Sequence, residues 1–314
     1  MLRFILSRFG QTLAVLFTAS VIIFALMRLI PGDPVLMMLG DDFTQAAYER
    51  MRAQLGLDRS IVVQYVLWLR NVLRGDLGDS LLQHQRVSRL VWDAFQPTLV
   101  LVVASLIAGV LIAIPSGIVA AMRKDSVWDY GSMGFAILVY SMPSFWKGIV
   151  LIWIFSVYFG WFPAMGYVAP WTDLGNSLWK LVLPAFTLGT FFSGLVARIV
   201  RSSLLEVLSA DYIKAARAKG VRQAALVYRH ALSNALIPVV TIIGLQFGAL
   251  LGGAVLTETV FAIPGMGRLT VNAIVNRDYA VVQGTIRAGV LLVVVVNLLV
   301  DLTYAFLNPR IRVA

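Results

Sequence analysis

Ionisable side chains are scarce in this sequence, and the few that stand inside apolar runs are the ones able to do chemistry away from water. Lys147 follows Phe145 and Trp146 in the middle of such a run. A charge at mid-membrane costs ~2.5–3.5 kcal/mol on insertion scales. Its ammonium is therefore expected to face a water-filled cavity or a partner helix, or to snorkel. Two roles stay open for it: a structural one, and a cationic contact for an anionic group such as a carboxylate. Arg287 and Asn297 share another run, where snorkelling and a bond to a neighbouring helix are their respective expected roles. Glu258 and Asp301 lie toward the ends of their runs.

Catalytic constellations are missing. The only histidines, His84 and His230, have no second ligand nearby, which argues against a metal site. Neither lies inside an apolar run, so no membrane serine would have a base. No G-x-x-x-x-G-K-[ST] occurs, nor any Gly-Lys pair, so the chain has no P-loop to cradle a nucleotide. No enzymatic activity of its own is expected.

The most telling polar stretch is Glu206–Thr241, which separates two apolar runs. Its pattern is helical and it breaks at Gly220. Ser209 or Asp211 is placed to cap the helix start, and Gly220 to supply a left-handed stop after Lys219. Tyr212, Ala215, Ala216 and Lys219 recur at helical spacing and share one face. The alanines allow close approach, Tyr212 offers an anchor, and Lys214, Arg217 and Arg222 suit an acidic rim. Either this is a solvated connector or a place where another protein docks. An alanine stripe ended by glycine favours docking. Further along, Gly244, Gly248 and Gly252 recur every fourth residue, with Gly253 following. Such a ridge lets helices approach closely, either within this chain or at a moving seam with a second subunit.

The elements that position these residues follow from composition. Of 314 residues, 59% are hydrophobic and 13% charged, and the mean hydropathy is +0.83. A soluble surface needs more charge than that, so the chain is an integral membrane protein. Its formal charge of +10 reflects basic loops that hold topology, and no basic run interleaved with aromatics points to nucleic acid. With no cysteine there is no disulfide or thiolate site.

A crossing helix needs about twenty apolar residues. Six runs qualify: Phe9–Leu29, Thr98–Ala121, Tyr130–Phe159, Leu181–Val200, Leu236–Leu256 and Val281–Leu307. The first is too long for a signal peptide and is read as a retained span. The third contains Pro143, which predicts a kink, a tilt or an interfacial end. With a cytoplasmic N-terminus the inner segments carry twelve basic residues, among them Arg3, Arg8, Arg123, Lys124, Arg201, Arg310 and Arg312, against Lys180, Arg268 and Arg277 outside. That bias puts both termini in the cytoplasm. The long outer loop, Pro31–Pro97, carries Tyr48, Met51 and Leu55, then Tyr65, Trp68, Leu69 and Val72, at helical spacing, and a small helical cap is expected there.

The segment Asp211-Tyr212-Ile213-Lys214-Ala215-Ala216-Arg217-Ala218-Lys219-Gly220, with Ile237 and Pro238 beyond it, resembles the EAA loop of ABC-importer permeases. Other blocks are similar to the dipeptide/oligopeptide branch: Leu29-Ile30-Pro31-Gly32-Asp33-Pro34, Gly160-Trp161-Phe162-Pro163-Ala164, Glu258-Thr259-Val260-Phe261 and Pro264-Gly265-Met266-Gly267-Arg268-Leu269. The resemblance covers nearly the whole chain. It departs at Lys147, where relatives keep a neutral residue, and at Gln96-Pro97-Thr98, which affects only the start of a helix.

The resemblance implies an all-α polytopic permease of type I importer design, in a prokaryotic cytoplasmic membrane. Residues 1–97 would form the first span and the outer helical loop. Residues 98–308 would form a five-helix core carrying the coupling loop 201–235, and 309–314 a cytoplasmic tail. Asp211, Tyr212, Ala215, Ala216, Lys219 and Gly220 would dock on an ATPase, while Gly244, Gly248, Gly252 and Lys147 would lie at the pathway or subunit seam. The implied partners are a second, homologous permease, two cytoplasmic ATPase subunits that use ATP and Mg, and an external substrate-binding protein. This chain itself would bind no cofactor. Di- and oligopeptides are the implied cargo, with glutathione, nickel complexes and opine-like conjugates as alternatives within the branch. A secondary transporter, the other class, would call for paired intramembrane acids or inverted repeats with broken helices, and neither is visible.

Overall fold

The computed structural model describes residues 2–29, 34–39, 43–54, 56–80 and 82–307, and every regular element there is helical. Leu55, Ile30-Pro31-Gly32-Asp33 and the expected tail 309–314 with Arg310 and Arg312 lie outside the described residues, as do the side chains of Arg3 and Arg8.

One unit comprises residues 1–96 and 269–294. It begins with α1 (Leu2–Leu29), α2 (Pro34–Leu39), α3 (Gln45–Gln54) and α4 (Ile61–Leu73), so the stretches around Tyr48 and Tyr65 are helical as their periodicity predicts. The face of α4 carrying Tyr65 and Trp68 packs on α1. Phe24 meets both rings edge-on at 5.2 and 5.5 Å, and Ser20 Oγ lies 2.7 Å from the Tyr65 hydroxyl. Val87 and Val91, at the start of α5 (Val87–Met122), bury against Ala273, Val281 and Val282.

The other unit comprises residues 97–268 and 295–314. Within it come the rest of α5, α6 (Val127–Ser141), α7 (Ser144–Leu151), α8 (Leu174–Ser209) and α9 (Asp211–Ala218). Next are α10 (Gln223–Ala225), a π-helical stretch Leu226–Ala231 and α11 (Leu232–Val260). The two remaining helices, α12 (Met266–Val275) and α13 (Tyr279–Leu307), each run from one unit into the other. Helix α5 does not start at Gln96-Pro97-Thr98. It begins at Val87 and runs through Pro97, with apolar residues on both sides of the proline.

Helix α8 is the core of this second unit. Leu181, Leu188, Phe192, Val196, Val200 and Leu204 recur every four or seven residues and are buried. It starts at a capped turn, where Asp173 Oδ1 accepts from the Asn176 amide at 3.0 Å. Small residues bring its neighbours to backbone distance. A Cβ on Gly189 would collide with the Ser105 carbonyl of α5, and one on Gly194 with the Ala136 carbonyl of α6.

Four helices among the described residues are long and apolar enough to cross a membrane: Val87–Met122, Leu174–Ser209, Gln223–Val260 and Tyr279–Leu299. Val127–Ser141 and Ser144–Tyr158 make a fifth only if counted as one broken span, because they are bent by 104°. The third run, Tyr130–Phe159, in which Pro143 predicts a kink, is two helices meeting at Met142-Pro143. Proline removes one hydrogen-bond donor and forces the residue before it out of the helical region, and Met142 is extended at ψ 134°.

Candidate functional site

Helix α9 is a short amphipathic rod whose inner side is set by one residue. Ile213 is fully buried in the α8 core together with Leu204, Leu226 and Val227. Asp211, Tyr212, Lys214, Ala215, Arg217, Lys219 and Gly220 are exposed. Tyr212 keeps 49% of its surface open while its hydroxyl accepts from Asn234 Nδ2 at 2.9 Å. Lys214 pairs with Asp211 at 2.8 Å. Gly220 follows Lys219 with φ 78°, the left-handed conformation the sequence calls for there.

Two details differ from expectation. Neither Ser209 nor Asp211 caps the helix. Ala210 occupies the cap position with extended backbone and no side-chain bond, and the Ser209 hydroxyl turns back to the Glu206 carbonyl at 2.7 Å. Asp211 instead lies in the first turn, where its charge favours the helix dipole. Ala216 does not share the open face of Tyr212, Ala215 and Lys219. On a helix it lies ~40° from Tyr212 toward Ile213, and it packs against the core.

Lys147 is buried, with 6% of its surface accessible. Its Nζ donates to the Val139 carbonyl and to Thr190 Oγ1, both at 3.1 Å. Val139 belongs to the last turn of α6, whose carbonyls lose their partners at the break. The ammonium therefore fills an orphaned acceptor at the negative end of a helix dipole. This geometry answers to the structural role left open in the sequence.

Of the glycine ridge, Gly252 is exposed with nothing within 4 Å of where a Cβ would stand, while Gly253 faces Leu188 of α8 at 3.0 Å. Gly244 and Gly248 are half-buried. The ridge thus has one side turned away from the chain's own core. A groove of about 710 Å³ between α5 and α8 is lined by apolar residues such as Val103, Ile107, Leu181 and Phe186, so it offers a charged solute no hydrogen-bond partner.

Three polar arrangements were not visible in the sequence. Glu258 is fully buried. Its carboxylate accepts from Thr98 Oγ1 at 2.6 Å and from the Arg268 amide at 3.1 Å, and Thr98 Oγ1 accepts from the Met266 amide at 2.8 Å. Glu258 thus closes the start of α12 onto α5, and Gly265 is required because a Cβ there would strike the carboxylate. Asp129 and Arg201 form a bidentate pair at 2.7 and 2.6 Å. Arg287 is half-buried: its guanidinium lies 4.2 Å over the Trp68 ring and bonds Gln283, which also accepts from Trp68 Nε1 at 3.1 Å. Asn297 is exposed. Polar residues near run ends were the available signal, but partners up to 215 residues apart carry no local periodicity.

Comparison with known proteins agrees along the chain. A family model described as "Binding-protein-dependent transport system inner membrane component" matches residues 113–313, and its N-terminal companion matches residues 1–102. The chain is 40% identical over 336 residues to the dipeptide transport system permease protein DppB of Escherichia coli K12, covering 99% of each. It is 43% identical over 314 residues to a putative peptide transport system permease protein of Brucella abortus, again covering 99% of each. Among solved structures, an inward-facing MetNI methionine ABC transporter superposes with TM-score 0.56 at 19% identity, over 70% of this chain and 96% of that one. At that identity the likeness concerns the fold.

Proposed function

From the chain's membership in the family of binding-protein-dependent transport inner membrane components, to which it belongs, we propose that it carries peptides as one half of an ABC importer's membrane pathway. It is a multi-pass permease of the cytoplasmic membrane, and hydrolysis of ATP belongs to a separate chain. The full-length similarity to peptide permeases supports di- and oligopeptides as cargo.

The observation that carries the coupling role is the form of α9. It is a rigid two-turn helix, anchored by Ile213, open on the side of Asp211, Tyr212, Ala215 and Lys219, and stopped by a left-handed Gly220. Such an element can seat in a cleft of a cytoplasmic ATPase and transmit its closure to the membrane helices. In this reading Ala216 fastens α9 to its own chain. The open flank of Gly252 suits a seam with a second, homologous permease, and two ATPases and an external binding protein complete the assembly. The topology that goes with it has six crossings, the broken α6–α7 pair being one and α1 another, with both termini cytoplasmic. Residues 1–97 supply the first span and outer helices, and 98–308 the transporting core.

The test follows depletion of a defined mixture of di- and tripeptides by cells with and without this chain, read by mass spectrometry. Loss of uptake on deletion, restored by the wild type and not by Gly220→Asp, is the expected result. Peptide uptake indifferent to the deletion sinks the peptide assignment and turns the search to glutathione, metal complexes and opines.

A further inference from the structure

Helices α6 and α8 run antiparallel and are fastened at three levels. At the end adjoining α9, Arg201 Nε and Nη2 donate to the two oxygens of Asp129 at 2.7 and 2.6 Å. Seven residues along each helix, or about two turns, Gly194 lies against the Ala136 carbonyl with no room for a Cβ. Near the break, Lys147 ties the Val139 carbonyl of α6 to Thr190 of α8. The Asp129 side chain is 2% exposed, and Oδ2 also accepts from the Asp125 amide at 3.0 Å, so the carboxylate has a single orientation. The Arg201 side chain is 26% exposed, which leaves the pair at the edge of the packed region. Beyond it, α8 reaches α9 through Ala210, and Ile213 is buried with Leu204 and Val200 of α8.

We infer that the Asp129–Arg201 pair is the clamp through which displacement of α9 is passed to the broken span α6–α7. The inference rests on the permease reading above. Helix α9 follows the end of α8 after Ala210 and packs on it through Ile213, and a push there can either bend the last turns of α8 or carry α6 with it. A bidentate guanidinium–carboxylate pair resists both sliding and rotation, because two parallel bonds fix direction as well as distance. With the clamp closed, α6 follows α8, and the Met142-Pro143 break is where the motion is released. Asp129 and Arg201 are thus positioning residues, acting on the pathway through α6.

The experiment uses the complete importer in proteoliposomes and reads peptide taken up per ATP hydrolysed. Asp129→Asn and Arg201→Gln are expected to keep ATPase rates within about twofold of wild type while lowering uptake per ATP about tenfold or more. The charge-exchanged double variant, Asp129→Arg with Arg201→Asp, is expected to recover a large part of the ratio. A merely structural role would lower both rates together and leave the ratio alone, and that outcome overturns the inference. Should the single variants fail to assemble, the chain's lack of cysteine provides a second route. Asp129→Cys with Arg201→Cys, tethered by a short bifunctional thiol reagent, is expected to couple when linked and to uncouple when the link is cleaved. Equal ratios in both states overturn the clamp. A wild-type complex that hydrolyses ATP but moves no peptide removes the functional reading itself, before any variant is compared.

Discussion

The Thr98 hydroxyl donates to the Glu258 carboxylate at 2.6 Å and in turn accepts from the Met266 amide at 2.8 Å, joining three helices in one buried network. A carboxylate in such a place is held by donors alone. Removing it takes one acceptor from the Thr98 hydroxyl and one from the amide of Arg268. Glu258→Ala is expected to cost about 3 kcal/mol, the range for breaking a buried network, and Glu258→Gln less. Thermal unfolding of the purified chain in detergent checks this. Equal midpoints for wild type and Glu258→Ala would remove the network's structural role.

Gly220 has open space around it but a φ of 78°. Any side chain there costs about 1 kcal/mol of backbone strain. Gly220→Ala is therefore expected to fold and to lose part of its coupling, and Gly220→Asp to fold and lose nearly all of it, because a charged side chain intrudes at the docking turn. ATP hydrolysis and peptide uptake measured together in proteoliposomes decide the point. Normal uptake by Gly220→Asp would dismiss the coupling assignment.

Lys147 bonds a helix-end carbonyl and a threonine hydroxyl. Lys147→Met keeps the length of the side chain and removes the charge. The expected outcome is lower thermal stability, by about 1–2 kcal/mol for loss of a partly buried cation at a helix C-terminus, with the KM for peptide unchanged. A KM raised tenfold with stability intact would instead place the ammonium on the cargo.

Gly189 and Gly252 should respond in opposite ways to the same change. Gly189→Leu drives a side chain into the Ser105 carbonyl and is expected to destabilise the fold by about 3 kcal/mol or more. A Cβ at Gly252 would meet nothing within 4 Å among the described residues. Gly252→Leu is expected to leave the isolated subunit as stable as wild type and to reduce co-purification with the second permease. Undiminished co-purification would move the seam away from this face.

Local chemistry in the sequence determined a good deal. The length of its apolar runs forces helices, because lipid offers a backbone no hydrogen-bond partner. The helices around Tyr48 and Tyr65, the break at Pro143 and the left-handed Gly220 follow from spacing and from the backbone demands of proline and glycine, which act within a few residues. The blocks around Asp211–Gly220 were enough to indicate the family. What stayed hidden depends on which residues meet across the fold. Only the tertiary structure decided that Lys147 serves the end of α6, that Arg287 lies on Trp68, and that Ala216 is half-buried against the core. The same holds for Thr98 with Glu258 and Asp129 with Arg201, which lie 160 and 72 residues apart. A lone polar residue in an apolar run announces that it needs a partner, since an unsatisfied group there is costly, but the identity of that partner is a property of packing. For Asp129 with Arg201 helix α8 makes that choice, because Gly194 lets α6 come close enough for the distant side chains to pair.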